Sequence, residues 1–566
     1  VDRPTVSRTL FLLVAVLLSL SFWAPAQEGG KREGQETVDA LYRQGFALQQ
    51  ERRTLEAIAA FEQALRLNPE HGPSHYEIGW SYWVLQDWPQ VVRHWDAAER
   101  LKAGPPEFPD YLREARSRLK GEGPPIVRVA MGTRAPAVAA AAATGAGAPG
   151  AGATSAAEAP LALELTARFQ HYNPAPQDPR DVFDQHVFSP KSVAFSPDGA
   201  KAYVNALEGM ATAVYDARNP RKLKVIVHRF GAAQAGLFDP AETAAYGKLF
   251  KAGQAPAEPN HFSGKPVESA LTHGGRYLWV SYYRRDYDRY GNLPSAVAIV
   301  DTRTDSIVRV MHTGPIPKFM TASPDGRWLA VIHWGDNSVD FIDVSAPEPA
   351  GFRHAGEAVV GKRLPLVIGQ PVDRDHYCGY CLRGAAFTAD SRYLLVGRMG
   401  GGGVAVIDVQ RRATVGTVTG MRPTPRHLVL SPDGARLYLS SNVGGYVSVY
   451  RPEDLVAAAL AKRTQLRPLE EIKTGAGTRT IALSPDGALL FAAVNRESKL
   501  AVLQAAPLRK LFEIAADSYP VGLAASPAGD QVWVTSQGVK QKGGNSVSIY
   551  TLRRGPEAAR PSRSAR

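Results

Sequence analysis

The chain has 566 residues, 44% of them hydrophobic and 21% charged. That length exceeds one ordinary domain, and the apolar fraction is enough for a large core. The net charge of +12 is spread along the chain, with no Lys/Arg run interleaved with aromatics. A basic solvated surface accounts for it, and no nucleic-acid partner is expected.

Residues 1–26 read as a secretory leader. Arg3 and Arg8 form a positive start, Leu10 to Trp23 is apolar, and Ala24-Pro25-Ala26 offers a cleavage site before Gln27. The alternative, an uncleaved anchor helix, is disfavoured because the apolar run falls short of the roughly 20 residues that a span needs. No Cys follows the run, so a lipid anchor is not suggested. The expectation is a periplasmic or secreted protein with no transmembrane segment after cleavage.

Helical spacing begins after a polar stretch at 27–36 and fills residues 37–120. Gly45, Ala57, Phe61, Ala64 and Pro69 recur 34 residues later as Gly79, Val91, Trp95, Ala98 and a displaced Pro105. Small residues let two helices of a hairpin approach, and Phe61 or Trp95 fills the gap between hairpins. This resembles the tetratricopeptide repeat, which implies two repeats, a capping helix near Pro109–Lys120 and a groove for a protein partner. Tyr76, Trp80, Tyr82, Trp83 and Trp88 crowd one hairpin. Each such ring is by itself most simply core filler. Together they are more aromatic surface than two repeats can bury, which makes Tyr76, Trp80, Trp83 and Trp88 candidates for partner binding. Residues 133–160 are rich in Ala, Gly and Pro and read as a flexible linker.

From 161 onward one unit repeats. An apolar run meets Ser-Pro-Asp-Gly at Ser196–Gly199, Ser323–Gly326, Ser431–Gly434 and Ser484–Gly487. Worn copies stand at Thr272–Gly275, Thr388–Ser391 and Ser526–Gly529, which makes seven. Pro presets a type I turn, Asp bonds its own backbone, and Gly accepts the left-handed conformation that closes a hairpin. Alternating runs follow each turn, as in Val404-Ala405-Val406-Ile407-Asp408. Four strands at a period of roughly 40 to 50 residues make a propeller blade. The pattern looks like the YVTN-type repeat of seven-bladed bacterial β-propellers, over residues 185–553. The resemblance implies an all-β propeller of four-stranded antiparallel blades. It does not imply one activity, because that fold hosts lactonases, haem-d1 carriers, surface-layer proteins and binding modules.

Blade seven ends at Ser548-Ile549-Tyr550-Thr551 without an outer strand. A propeller must close, so the alternating stretch 161–169 is expected to complete it, giving a propeller over 161–553 and a disordered basic tail over 554–566. Uneven blade spacing marks insertions at 232–265, Tyr282–Leu293 and Ser345–Arg383, and long loops are where propellers carry function.

The only cysteines, Cys378 and Cys381, lie in one insertion. In an exported chain such a pair is most simply a disulfide. The alternative is a metal site in which His376 joins two thiolates. Leu382 after the second Cys excludes c-type haem attachment, and no cofactor is expected. Pro425-Arg426-His427-Leu428 enters blade five and is similar to a Pro-Arg-His stretch of the lactonase branch of these propellers. There the resemblance implies that Arg426 and His427 face the channel and could hold a carboxylate or polarise a lactone carbonyl. The corresponding entries at Lys318, Arg479 and Val521 read as ordinary repeat positions.

The function expected from these features is binding or scaffolding in the cell envelope. Each module would engage a protein partner or a small ligand held in the channel. The alternatives are a lactone hydrolase or lyase at Arg426 and His427, and a metal carrier at the cysteine loop.

Overall fold

A computed structural model describes residues 37–49, 54–85, 87–104, 108–120, 161–250, 256–366, 372–375, 377–538 and 544–555. The leader, the linker at 133–160, His376 and the tail beyond 555 lie outside them. The chain divides into two compact units, residues 1–139 and 140–566.

The first unit is a run of helices: α1 (37–49), α2 (Thr54–Leu67), α3 (Gly72–Leu85), α4 (Trp88–Arg100) and α5 (Phe108–Leu119). The start of α4 is fixed by Asp87, whose carboxylate accepts from the Gln90 amide, and by Pro89 in the first turn. Close approach of paired helices decides the small residues. A Cβ on Gly45 would lie 2.6 Å from the Phe61 ring, and one on Gly79 would collide with the Trp95 indole. Phe61 and Trp95 are fully buried, and Trp95 Nε1 donates to the Tyr76 carbonyl at 3.0 Å. These are two consecutive tetratricopeptide-type hairpins with α5 laid against α4.

The second unit is a seven-bladed propeller. Its inner strands are Pro190–Phe195, Phe262–Thr272, Pro317–Ala322, Leu382–Phe387, Pro425–Leu430, Thr478–Leu483 and Pro520–Ala525. Each packs on the next, and the last packs on the first, so the ring is closed. Every blade is built on four antiparallel strands in chain order, apart from the seventh, and in blade two the short strand Arg229–Phe230 adds a fifth beside the inner strand. There Leu161–Gln170 pairs antiparallel with the final strand, Ser546–Arg554, from Leu161 opposite Arg554 to Gln170 opposite Ser546. The two ends of the unit thus share one sheet, and the seam is hydrogen-bonded along its length. The core consists of apolar layers between neighbouring blades, such as Phe341, Leu394 and Ile407, or Tyr215, Phe195 and Trp533 across the seam.

The repeated turn works through its serine. In Ser196–Gly199 the hydroxyl donates to Asp198 at 2.6 Å and accepts from the Lys201 amide at 2.9 Å, while Asp198 accepts from the Ala200 amide. The same three bonds recur at Ser323, Thr388, Ser431 and Ser484. The closing glycine is left-handed, with φ +68° at Gly487. A Cβ at Gly487 would lie 2.9 Å from Pro432 of the preceding blade, and one at Gly199 would lie 3.7 Å from Pro527 across the seam. The turns therefore touch one another around one face of the ring.

Chain direction settles the opposite face. Inner strands start there and run toward the turns, so the links between blades and the second-to-third strand loops open on the starting face. The described residues of the insertions, 231–250, 256–261, 286–294, 360–366, 372–375 and 377–381, lie on it.

Candidate functional site

Each inner strand carries a one-residue bulge near its start. Pro190 pairs with Ala206 and Ser192 with Asn205, which leaves Lys191 as the extra residue. The same slip leaves out Val267 in blade two, Lys318 in blade three, Arg426 in blade five and Val521 in blade seven. In blades four and six it spans Arg383-Gly384 and Arg479-Thr480. A bulge re-aims its side chain out of the sheet alternation. In six blades the residue before the strand is left-handed: Ser189, Ile316, Cys381, Thr424, Gly477 and Tyr519, with φ between +48° and +82°. Backbone in this region costs about 1–3 kcal/mol at non-glycine residues and persists only where the surroundings hold it.

The result is a charged ring at the starting face. Lys191, Lys318, Arg383, Arg426 and Arg479 contribute cations from five blades, and Glu268 contributes a carboxylate from blade two. Arg383 Nη2 meets Glu268 Oε1 at 2.7 Å, and its other nitrogen donates to the Lys318 carbonyl. Arg479 Nε donates to the Val521 carbonyl at 3.1 Å, and Lys191 Nζ to Gln537 Oε1 at 3.0 Å. Arg426 Nη1 lies 3.2 Å from Met399 Sδ. Lys318 is ion-paired with Asp375 of the insertion and sits 3.9 Å from the centre of the Trp334 ring. Asp373 takes Arg284 at 3.1 Å, so the insertion is fastened over blades two and three.

Dry surroundings and mutual repulsion set the protonation states. Burial, and then the cations Arg479, Lys318 and Arg383, hold Lys191 well below the usual lysine range. Burial brings Lys318 down to about 7 against the pull of Asp375. Burial also works against the Asp375 carboxylate, but Lys318 and Arg284 outweigh it and keep it ionised below its ordinary range. Glu268 is raised by burial, although Arg383, Arg479, Arg426 and Lys191 all favour its charge. His427 is lowered to about 3 by burial and by Arg383 and Arg426, so it is neutral at neutral pH. Its Nδ1 accepts from the Ile481 amide at 3.4 Å, which places the proton on Nε2.

The sequence-selected residues divide clearly. Arg426 and His427 lie in this ring. Cys378 and Cys381 are joined in a disulfide with Cα atoms 4.8 Å apart, within the same insertion that carries Asp375. Among the described residues no cluster of His, Cys, Asp and Glu is arranged for a metal. The expectation that the helical module's aromatics face a partner needs correction: Tyr76, Trp83 and Trp88 are buried and Trp80 is half-buried. The capping helix covers them, with Phe108 4.9 Å from Tyr76 and Tyr111 5.1 Å from Trp80. Sequence reasoning missed Lys191, Glu268 and Arg383, and read Lys318 and Arg479 as ordinary. The available signal was a cation at the same step of five blade entries.

Among the described residues, the inner-strand hydroxyls of Ser192 and Thr480 are not set up as nucleophiles. Ser192 Oγ accepts from Asn205 Nδ2 at 3.0 Å, and Thr480 Oγ1 donates to the Val521 carbonyl at 2.8 Å. Neither is bonded to a base.

Residues 38–71 match the tetratricopeptide repeat family, and residues 384–554 match the family described as lactonase, 7-bladed beta-propeller. The second match spans blades four to seven. No curated protein matches the chain. Among the solved structures to which the chain is similar at low identity are three. One is the β-propeller domain of Cps50 (Swd1) from Myceliophteria thermophila, 13% identical, covering 69% of this chain and 99% of that one at a TM-score of 0.46. Another is hydrazine synthase from Kuenenia stuttgartiensis, at 14%, 68%, 99% and 0.44. The third is a chain of a mitotic checkpoint complex, at 12%, 69%, 94% and 0.44.

Proposed function

We propose that the protein is a binding protein of the cell envelope. In this reading the propeller channel holds a small ligand, and the tetratricopeptide-type module docks a protein partner. One observation carries it: side chains from six blades converge at the channel mouth, on the face where the long insertions open. Location in the periplasm or outside the cell rests on the leader-like residues 1–26. Two linked weak sites raise the effective affinity when both can engage.

A crosslinking pull-down from envelope extract tests the reading, with the mature chain compared with a chain lacking residues 27–132. Loss of a partner on deletion supports docking by the helices. Identical recovery by both baits moves the docking site to the propeller. Recovery of nothing specific contradicts the scaffold role.

A second reading, lactone hydrolysis, draws support from the Glu268–Arg383 pair beside Arg426 and neutral His427. It supplies the acidic group that the Arg-His motif lacked in sequence. Turnover of simple lactones that disappears in Arg426→Ala and His427→Ala would establish it. Absence of turnover in the intact protein would remove it. Metal carriage at the cysteine loop needs thiolates, and the bonded sulfurs supply none. Thiol titration without reductant and metal analysis on protein purified without chelator check this.

A further inference from the structure

We infer that Lys191 is a modification site for carbon dioxide, whose side-chain amine takes up the gas reversibly as a carbamate on the inner wall of the propeller. The reaction is independent of any ligand that the channel also holds. The Nζ lone pair attacks the carbon of carbon dioxide, and an N–C bond forms. One C=O electron pair moves onto oxygen, one N–H proton leaves to water, and nothing is oxidised or reduced.

The argument begins with partners. Lys191 and Lys318 stand at the same bulged step of blades one and three. Lys318 has a carboxylate, Asp375, and lies over the Trp334 ring. Lys191 has none: among the described residues its one side-chain hydrogen bond goes to the neutral amide of Gln537, from Nζ to Oε1 at 3.0 Å. The carboxylates of the ring are engaged elsewhere, Glu268 with Arg383 and Asp375 with Lys318. The seam between blades one and seven does not need the lysine side chain. Thr535 Oγ1 donates to the Lys191 carbonyl at 3.0 Å, and the Ser189 amide donates to Asn545 Oδ1 at 2.9 Å. Lys191 is only half-buried, which leaves it open to a molecule as slender as carbon dioxide.

Chemistry then selects the reagent. An amine adds to carbon dioxide only when it is neutral, and an ordinary lysine is neutral at neutral pH in roughly one molecule in 2,500. Nearby cations and scarce water both favour the neutral amine. Burial, and then Arg479, Lys318 and Arg383, hold Lys191 well below the usual lysine range, with Asp375 the weaker opposing pull. The cations that disfavour an ammonium also favour an anion in its place. Carbamate formation replaces a repelled cation by an attracted anion, so one field sets both ends of the reaction. An aldehyde or ketone would leave a neutral imine or a cationic iminium, which that field does not stabilise.

Chemical trapping on the full chain at neutral pH tests this. The protein is equilibrated with isotopically labelled bicarbonate and carbon dioxide, alkylated with triethyloxonium to fix carbamates as esters, and mapped by peptide mass spectrometry. Lys191 should carry the label at least about tenfold above the average of the other lysines, Lys318 included. Unfolding in urea before labelling should bring Lys191 down to that average. Gln537→Glu places a carboxylate where the amide oxygen lies, holds the lysine as an ammonium and should cut its label about tenfold or more. Near-UV dichroism checks the fold of this variant, and the urea comparison needs no variant at all. No label on Lys191 in the folded chain, equal label on Lys318 and the surface lysines, or full label in folded Gln537→Glu would each overturn the inference.

Discussion

At the scale of single residues, the turn is held by one hydroxyl in each of five blades. Ser484 is 2% exposed, and its oxygen is the acceptor for the Leu489 amide while its proton goes to Asp486. Ser484→Ala leaves a buried amide without that acceptor, and such a loss costs about 1–3 kcal/mol. Urea denaturation should show the propeller destabilised by this amount, and an unchanged midpoint would mean that the turn chemistry is not structural. Gly487→Ala places a side chain at φ +68° and beside Pro432, with an expected cost of about 1–2 kcal/mol. Both features are readable from Ser-Pro-Asp-Gly. The channel residues are not. A bulge is a property of register, which no local pattern records, and Lys191 or Arg479 looks like any surface cation until the strand beside it is known. Arg426 stood out only because His427 followed it in a family-like motif.

Elements add a second kind of specificity, which depends on how closely helices approach. Between α3 and α4 the Gly79 backbone lies against Trp95, and His75 Nδ1 meets His94 Nδ1 at 3.1 Å. Gly79→Ala forces these helices apart and is expected to destabilise the module by about 1–3 kcal/mol. The helical signal at 222 nm in thermal melts of the full chain should lose its corresponding phase or shift it downward. The histidine contact requires one ring nitrogen to donate and the other to accept, so it fails when both are protonated. Burial lowers His94 to about 4, with His75 and Arg93 adding to the effect, and burial also lowers His75. The unfolded chain therefore binds protons first on acidification. Stability from this contact is complete above pH 6.5 and is lost as pH falls from there toward 4. His94→Gln should flatten that dependence, and an equal acid sensitivity in the variant would refute the assignment. The helices themselves were legible from the recurrence of Gly45 and Phe61 as Gly79 and Trp95. The aromatic surface was not, because nothing in the spacing of Tyr76 and Trp80 shows that Phe108 and Tyr111 come back to cover them.

Across the whole propeller the controlling fact is closure. Strand Leu161–Gln170 hydrogen-bonds to the last strand of the chain and covers Tyr550 and Leu552 together with Leu163. Deleting 161–170 exposes the edge of Ser546–Arg554 and opens the seam between blades seven and one, where Phe169 packs on Tyr215 at 4.4 Å. Thermal unfolding of the deleted chain is expected to begin at lower temperature and with reduced cooperativity, and a transition matching the intact protein would show that the seam carries little of the stability. The missing outer strand of blade seven is visible in sequence because the blade count leaves it unpaired. Closure also creates the channel, since Lys191 and Arg479 reach one site only when blade one meets blade seven.

The most direct test of the account is the crosslinking pull-down from envelope extract, with the mature chain compared with a chain lacking residues 27–132. The account predicts a specific partner that the mature chain recovers and the deleted chain loses. Recovery of nothing specific by either chain would contradict it.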